Sequence, residues 1–374
     1  MKHIVFAIGS LYGGGAERVV SVWASGLAEK GYKVSVLVYS RLENEYPIDS
    51  RVNVYPIANS QKECNDFSMF KRLKRIRKAL KILKPDAVIS FLPIMQIYVA
   101  LASIGLKIPR VETIRISPWT ASGLNGWYKN IWLWCFKSCD ALILQSQDQK
   151  PFFNKKVQKK AVVIPNPINS LYVENQKTEY CTNSHRVVAA GRLNEQKNYK
   201  MLIDAIKIVS KKHSDVKLNI YGEGPLENQL NAYIKEQGLE NVVRLMGRTN
   251  ELYRVYQQTD LYVMSSDYEG MPNALAEAMA VGLPCISTDC KTGPRDLIDD
   301  GKNGYLVPCN DAVVLADKII QVFSLSKDEQ KALGQKAREK IINFCGEKSS
   351  LDKLIFMLES LWSNATEKET NNAE

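Results

Sequence analysis

Histidine is scarce in this chain of 374 residues, with only His3, His185 and His213. The eight cysteines form no Cys-x-x-Cys and no Cys/His cluster, which excludes a zinc site and a disulfide framework and fits a reducing cytoplasm. Asp-x-Asp occurs nowhere, so the acidic pair that would anchor a divalent metal is missing and no metal is expected. Long apolar runs are few. Residues 87–106 carry no charge over twenty positions, the length of a membrane span, but Ser90, Pro93 and Gln96 interrupt them. They read as a buried strand, Ala87–Phe91, then a loop and a helix. The apolar run Lys2–Gly9 is too short for a signal peptide and leads into a glycine turn, so it reads as a first strand. Acidic residues are in deficit, 40 against 50 Lys and Arg, giving a formal charge of +10. That balance favours anionic partners: nucleic acid, acidic lipid head groups or phosphorylated substrates, of which nucleic acid is not expected once the strand-end motifs are weighed.

What is present is ordinary for a soluble globular protein, at 45% hydrophobic and 24% charged residues. The length implies two domains. Apolar runs alternate with helix-forming segments throughout, which predicts an α/β protein with two parallel sheets covered on both faces. Pro165-Asn166-Pro167 breaks the chain between them. The expected organisation is a first domain over 1–166, a second over 167–345, a helix over 346–363 that returns to the first domain, and a disordered tail over 364–374.

The most informative stretch is 265–284. Leu261–Met264 reads as a short buried strand, Gly270 and Pro272 break the chain, and Asn273 to Val281 is helix-forming up to Gly282 and Pro284. A strand, a turn and a helix start leave backbone N–H groups pointing out of the helix end, which suits phosphate or sugar oxygens. Glu269 would lie at the mouth of that site and Glu277 about a turn and a half inside. The pair fits an elongated polar ligand such as a nucleotide sugar, and equally a capped helix with a solvated glutamate.

Other strand ends carry comparable signals. Ile4–Ile8 leads into Gly13-Gly14-Gly15 and a helix from Ala16 to Glu29, the opening of a Rossmann-like unit. A Gly-x-Gly-x-x-Gly string is absent, and Arg41 stands where a dinucleotide fold needs an acid, which disfavours a nicotinamide cofactor. In the second half, Gly191-Arg192 and Lys197, Gly222-Glu223-Gly224-Pro225, and Gly247-Arg248 follow successive strands, where ligands bind in such sheets.

With these strings, Gly13-Gly14-Gly15-Ala16-Glu17-Arg18, Asn166-Pro167, Gln196-Lys197-Asn198, the Glu-x7-Glu of 269–277 and Ser287-Thr288-Asp289-Cys290, nearly the whole chain resembles glycosyltransferase family 4. Those are retaining enzymes of the GT-B fold, two Rossmann-like domains facing a cleft. The resemblance implies an acceptor-binding first domain and a second domain that holds a UDP-linked hexose, with galactose or N-acetylgalactosamine favoured over glucose or N-acetylglucosamine. Carried over by position, Glu277 binds the ribose, Glu269 with the backbone of Gly270, Met271, Pro272 and Asn273 holds the sugar, and Arg192 with Lys197 neutralises the leaving diphosphate in place of a metal. Gly14 and Gly15 approach that phosphate, and Gly222 and Arg248 face the base. Arg18 and Arg115 are acceptor-side candidates. Arg115 stands where many relatives carry histidine, and reads either as a group that binds acceptor or phosphate or as a surface arginine. No cofactor is expected.

The implied acceptor is a glycan or polyprenyl-diphosphate-linked glycan in surface polysaccharide assembly. A nucleotide-sugar epimerase of the same fold and a non-catalytic sugar-nucleotide or lipid-binding protein are the alternatives. A basic amphipathic helix over Phe67–Lys84 and the aromatic stretch Trp119–Phe136 suit an anionic membrane surface, which predicts a peripheral protein on the cytoplasmic face of the cell membrane; the first equally fits a crossover helix with its apolar stripe on the sheet and a solvated basic face, and the second a Trp-rich core helix.

Overall fold

The computed structural model describes residues 1–119, 126–180 and 184–371, with side chains up to 364. The chain divides into two units, residues 1–167 with 347–374, and residues 168–346.

Unit 1 contains strands β1 (His3–Ala7), β2 (Lys33–Val38), β3 (Asn53–Pro56), β4 (Ala87–Ser90), β5 (Arg110–Thr113), β6 (Ala141–Leu144) and β7 (Ala161–Val163). They form a parallel sheet in the order β3-β2-β1-β4-β5-β6-β7. Alternation along β1 fills two cores: Ile4 and Phe6 enter one, Val5 and Ala7 the other. The first core takes Val20, Trp23 and Leu27 from the helix Gly15–Glu29 and Leu354, Met357 and Leu358 from the last helix, Glu347–Asn371. Trp23 Nε1 donates to Ser350 Oγ at 2.9 Å, and Ser350 Oγ donates to the Pro165 carbonyl at 3.0 Å. The expected disordered tail is corrected: that helix runs on to Asn371, through Ala365, Glu367, Lys368 and Glu369, all strong helix formers. Residues 372–374 lie outside the described residues.

Unit 2 contains β8 (Arg186–Ala190), β9 (Lys217–Tyr221), β10 (Val243–Leu245), β11 (Leu261–Met264), β12 (Cys285–Thr288) and β13 (Tyr305–Val307), parallel in the order β10-β9-β8-β11-β12-β13. Val187 and Ala189 face the helices Tyr199–Ser210 and Ala312–Phe323, whereas Val188 and Ala190 face Asn273–Val281 and Lys327–Cys345.

Two strands, β3 and β5, are not legible in the sequence. β3 is a four-residue edge ending in Pro56. β5 reads Arg-Val-Glu-Thr, yet all four residues are buried, because Arg110 Nη1 lies 3.4 Å from Glu112 Oε1 and its Nη2 donates to the Ser138 carbonyl at 2.7 Å.

The basic helix is shorter than expected, Met69–Leu83, capped by Ser68 and closed by Lys84 in the left-handed region at φ 46°. Ile76, Ala79 and Leu80 are buried against Val5, Ala7 and Leu37, with Met69, Leu73 and Leu83 beside them. Lys71, Lys74, Arg75, Lys78 and Lys81 are exposed. Arg72 differs from that set: its Nη2 donates to the Cys64 carbonyl at 3.0 Å and its guanidinium lies over Tyr39. The aromatic stretch divides too. Trp132 and Phe136 are core residues, whereas Trp127, Tyr128 and Trp134 reach solvent. Residues 120–125 lie outside the described residues. Among the described residues no helix is long and apolar enough to cross a membrane; residues 87–106 form β4 and the helix Pro93–Ala102.

Candidate active site

The site in unit 2 is built on loops that leave the carboxyl ends of its strands. The loop after β9 lies directly on the loop after β8. Gly191 N–H donates to the Tyr221 carbonyl at 2.9 Å, Leu193 N–H to Glu223 at 3.0 Å, and Gly222 N–H to Gly247 at 2.8 Å. Gly222 has φ +145°, and a Cβ there would sit 1.9 Å from the Gly191 carbonyl oxygen, so only glycine permits this approach. The stem of Lys197 lies over Gly191.

Lys197 ends a short 3-10 turn, Glu195–Lys197, and its Nζ reaches Glu269 Oε1 at 2.6 Å. The two side chains are 16% and 7% exposed. Bonds to main-chain carbonyls hold both loops: Ser265 Oγ donates to that of Lys197 at 2.7 Å, Asp267 N–H to that of Gln196 at 2.9 Å, and Gln196 Nε2 to that of Tyr268 at 2.8 Å. Asn198, at φ 44°, caps the next helix at Met201 N–H and bonds Asp267 Oδ1 at 2.9 Å and Asn310 Oδ1 at 2.8 Å.

After β11 the chain turns through Gly270, Met271 and Pro272 into the helix Asn273–Val281. Pro272 offers no side-chain cap to this helix, whose N-terminus opens from the turn that carries Glu269. The turn is clamped from β12: Thr292 Oγ1 donates to the Glu269 carbonyl, and a Cβ on Gly293 would meet Pro272 Cδ at 2.6 Å. Glu277 is the fifth residue of the helix and is 7% exposed. Burial pushes Tyr256 and Tyr262 well above the ordinary phenol range, so both stay neutral beside it. Arg192 and Arg248 are exposed on the loops after β8 and β10.

In unit 1, Gly14 caps the helix Gly15–Glu29, and the Glu17 carboxylate lies where a Gly14 Cβ would be. Burial raises the pKa of that carboxyl. An anion reaching Gly14 must therefore displace Glu17. Arg18 is half-buried on the same helix. Arg115 is no surface arginine: its guanidinium is packed against Trp23 and Phe91, and its Nη1 donates to Asn166 Oδ1 at 2.8 Å.

Residues 13–170 match the family described as Glycosyltransferase Family 4, and residues 174–340 match Glycosyl transferases group 1. The chain belongs to the family 4 glycosyltransferases. This glycosyltransferase is 28% identical over 354 residues to a Campylobacter jejuni protein named as the alpha-1,4-N-acetyl-D-galactosaminyltransferase of a GalNAc-GalNAc-diNAcBac-PP-undecaprenol, covering 92% of this chain and 95% of that one. It is 28% identical over 318 residues to an amylovoran biosynthesis glycosyltransferase of Erwinia amylovora, covering 82% and 85%. The crystal structure of Anabaena HepE with UDP superimposes with a TM-score of 0.78 at 18% identity, covering 96% of this chain and all of that one. The fold is GT-B, two Rossmann-like parallel-sheet domains.

Within this glycosyltransferase, unit 2 brings Lys197 and Glu269 into contact and places Glu277 in the helix that the Glu269 turn opens. Gly14, Gly15, Arg18 and Arg115 belong to unit 1. Sequence reasoning assigned no bracing role to Ser265, Thr292 or Gly293. It also missed Asn198 as a hub, although Gln196-Lys197-Asn198 was the string that carried it. Away from the site, at the amino ends of β8 and β9, His185, His213 and Asp215 bring ligand atoms within 4.8 Å of one another. His185 and His213 are 28 residues apart, a spacing that gives no signal along the chain.

Proposed function

We propose that this glycosyltransferase moves a hexose from a UDP-sugar, with retention, onto a glycan or polyprenyl-diphosphate-linked glycan in surface polysaccharide assembly. The observation that carries the reading is the Lys197–Glu269 pair at the mouth of the uncapped helix Asn273–Val281. A cation, a carboxylate and a helix N-terminus converge there, which matches a diphosphate followed by a sugar. Glu277 would take the ribose hydroxyls, Glu269 and the turn Gly270–Asn273 the sugar, and Arg192 with Lys197 the diphosphate as charge develops on the departing oxygen. Gly222 and Arg248 would face the base. With two cations in that role, the reaction needs no metal.

The enzyme would work as a peripheral protein on the cytoplasmic face of the membrane. Support for this comes from the exposed row of Lys71, Lys74, Arg75, Lys78 and Lys81 and from Phe70, which is 80% exposed beside it. The Campylobacter relative, named for an undecaprenol-linked glycan, fits such an acceptor.

A thermal-shift panel of UDP, GDP, ADP and their sugars tests the donor, because a ligand of the folded state raises stability by mass action. The expected result is stabilisation by UDP and UDP-hexoses above the other bases. Stabilisation by GDP or ADP alone overturns the UDP assignment.

A further inference from the structure

Arg115 follows β5 at its carboxyl end. Its guanidinium carbon lies 4.6 Å from the centroid of the Trp23 ring and 5.3 Å from that of Phe91, which follows β4. Nη1 is used, donating to Asn166 Oδ1 at 2.8 Å and to the Ile164 carbonyl at 3.5 Å. Nε and Nη2 are buried and bonded to nothing among the described residues. These two nitrogens form one edge of the guanidinium, the side-on fork that grips two oxygens of a phosphate or carboxylate.

No carboxylate pairs with Arg115 among the described residues, and none of residues 120–125 is acidic. Arg110, the first residue of β5, shows the contrast, since its buried guanidinium lies against Glu112. Burial alone pulls the Arg115 pKa down to about 9, so the group is still a cation at neutral pH. Its neighbour Gln145 is also unsatisfied: Gln145 Nε2 donates to Asn166 Oδ1 at 3.0 Å, while Gln145 Oε1, just after β6, is buried without a partner among the described residues. A water can satisfy an N–H group, but only an anion neutralises the charge. The cluster lies at the carboxyl ends of β4, β5, β6 and β7, where open parallel sheets bind ligands.

We propose that Arg115, with Asn166 and Gln145, forms a subsite in unit 1 for a phosphate or diphosphate group carried by the acceptor. The proposal rests on the glycosyl-transfer reading only for what that group is attached to. The fork lies beneath the surface, so entry of the group is coupled to movement of the side chains over it.

The test uses the full chain with its donor site filled by whichever nucleotide stabilises it most, so that added pyrophosphate cannot report on Arg192 and Lys197. Melting is followed against inorganic pyrophosphate at fixed ionic strength, in wild type and in Arg115→Met, which keeps the packing on Trp23 and Phe91 but removes the charge. Wild type should be stabilised, and the variant should lose at least about tenfold in apparent affinity while its nucleotide response is unchanged. Farnesyl diphosphate is the second arm. A larger response to it than to pyrophosphate assigns the group to a lipid carrier, and equal responses assign it to any phosphorylated acceptor. If Arg115→Met does not fold, Arg115→Lys takes its place, with the same tenfold loss expected because the ammonium lacks the fork. No pyrophosphate response in wild type, or equal responses in wild type and variant, overturns the subsite. Absence of any nucleotide response in wild type counts against the glycosyl-transfer reading instead.

Discussion

Lys197 Nζ and Glu269 Oε1 stand 2.6 Å apart, joining loops that lie 72 residues from each other in the chain. The two were expected to serve different parts of the donor, the cation its diphosphate and the carboxylate its sugar. Their pairing means that each holds the other in place before the donor arrives. Removing one partner of a buried pair strands the other charge, at a cost of roughly 3–5 kcal/mol.

Lys197→Ala should therefore lose both activity and stability, with kcat falling roughly 100-fold from the lost electrostatic contact. The double variant Lys197→Met with Glu269→Gln should regain stability without regaining turnover. Arg192→Ala should lower kcat to a similar extent with no change in melting temperature, since Arg192 is exposed. Steady-state kinetics beside thermal melts check all three, and wild-type turnover in a protein lacking either cation refutes the leaving-group role.

Glu277→Ala and Glu269→Ala should separate. Ribose contacts are alike in ground and transition states, so losing Glu277 should mainly raise donor KM, whereas losing Glu269 should mainly reduce kcat. If both variants change KM alone, Glu269 is a binding residue and nothing more.

Gly222→Ala should destabilise unit 2 by at least about 2 kcal/mol, from positive φ and from the clash with the Gly191 backbone, which no side-chain adjustment relieves. Denaturant unfolding measures this, and a variant within about 0.5 kcal/mol of wild type contradicts the packing described for these loops.

The strand-end loops were legible because glycine, proline and charge follow continuous apolar runs such as Leu261–Met264 and Ile4–Ile8. β5 was not, because Arg110 and Glu112 are buried only by virtue of each other. The burial of Arg115 depends on Trp23, Phe91 and Asn166, which are 92, 24 and 51 positions away in the chain. Arg72 turns inward for a similar reason, toward Cys64 and Tyr39. Local pattern fixes which residues line a strand end, whereas the partner that decides whether a charge is solvated comes from elsewhere in the fold.

Glu112 supplies a pH signature. Burial raises its carboxyl to about 7, against the lowering influence of Ser90 and Arg110. A raised acid binds its proton more tightly when folded, so its contribution to stability is greatest below the ordinary value of 4.5 and is lost as pH rises to about 7. The stability of wild type relative to Glu112→Gln should fall across that window and level off above it. A pH-independent difference in unfolding free energy excludes this role.

Membrane docking should depend on charge. Each Lys or Arg near an anionic surface contributes about 1 kcal/mol, so Lys71, Lys74, Arg75 and Lys78 together suffice for reversible binding. Wild type should co-sediment with anionic but not neutral vesicles at low salt, and release at high salt. Changing those four residues to glutamate should abolish binding; Arg72 is left intact because it braces the fold. Equal sedimentation of the charge-reversed protein shows that this face is merely solvated.

The last helix has a consequence for the order in which the protein is made. Residues 168–346 are contiguous, so all of unit 2 is available as soon as it has been synthesised. The first 167 residues emerge earlier but lack Leu354, Met357 and Leu358, which complete their core, and Ser350, which accepts from the Trp23 indole. During synthesis, then, the amino-terminal half waits for the carboxyl-terminal one. A chain ending after residue 346 and released from the ribosome would carry a complete second unit and a first unit whose apolar face stays uncovered and needs a chaperone.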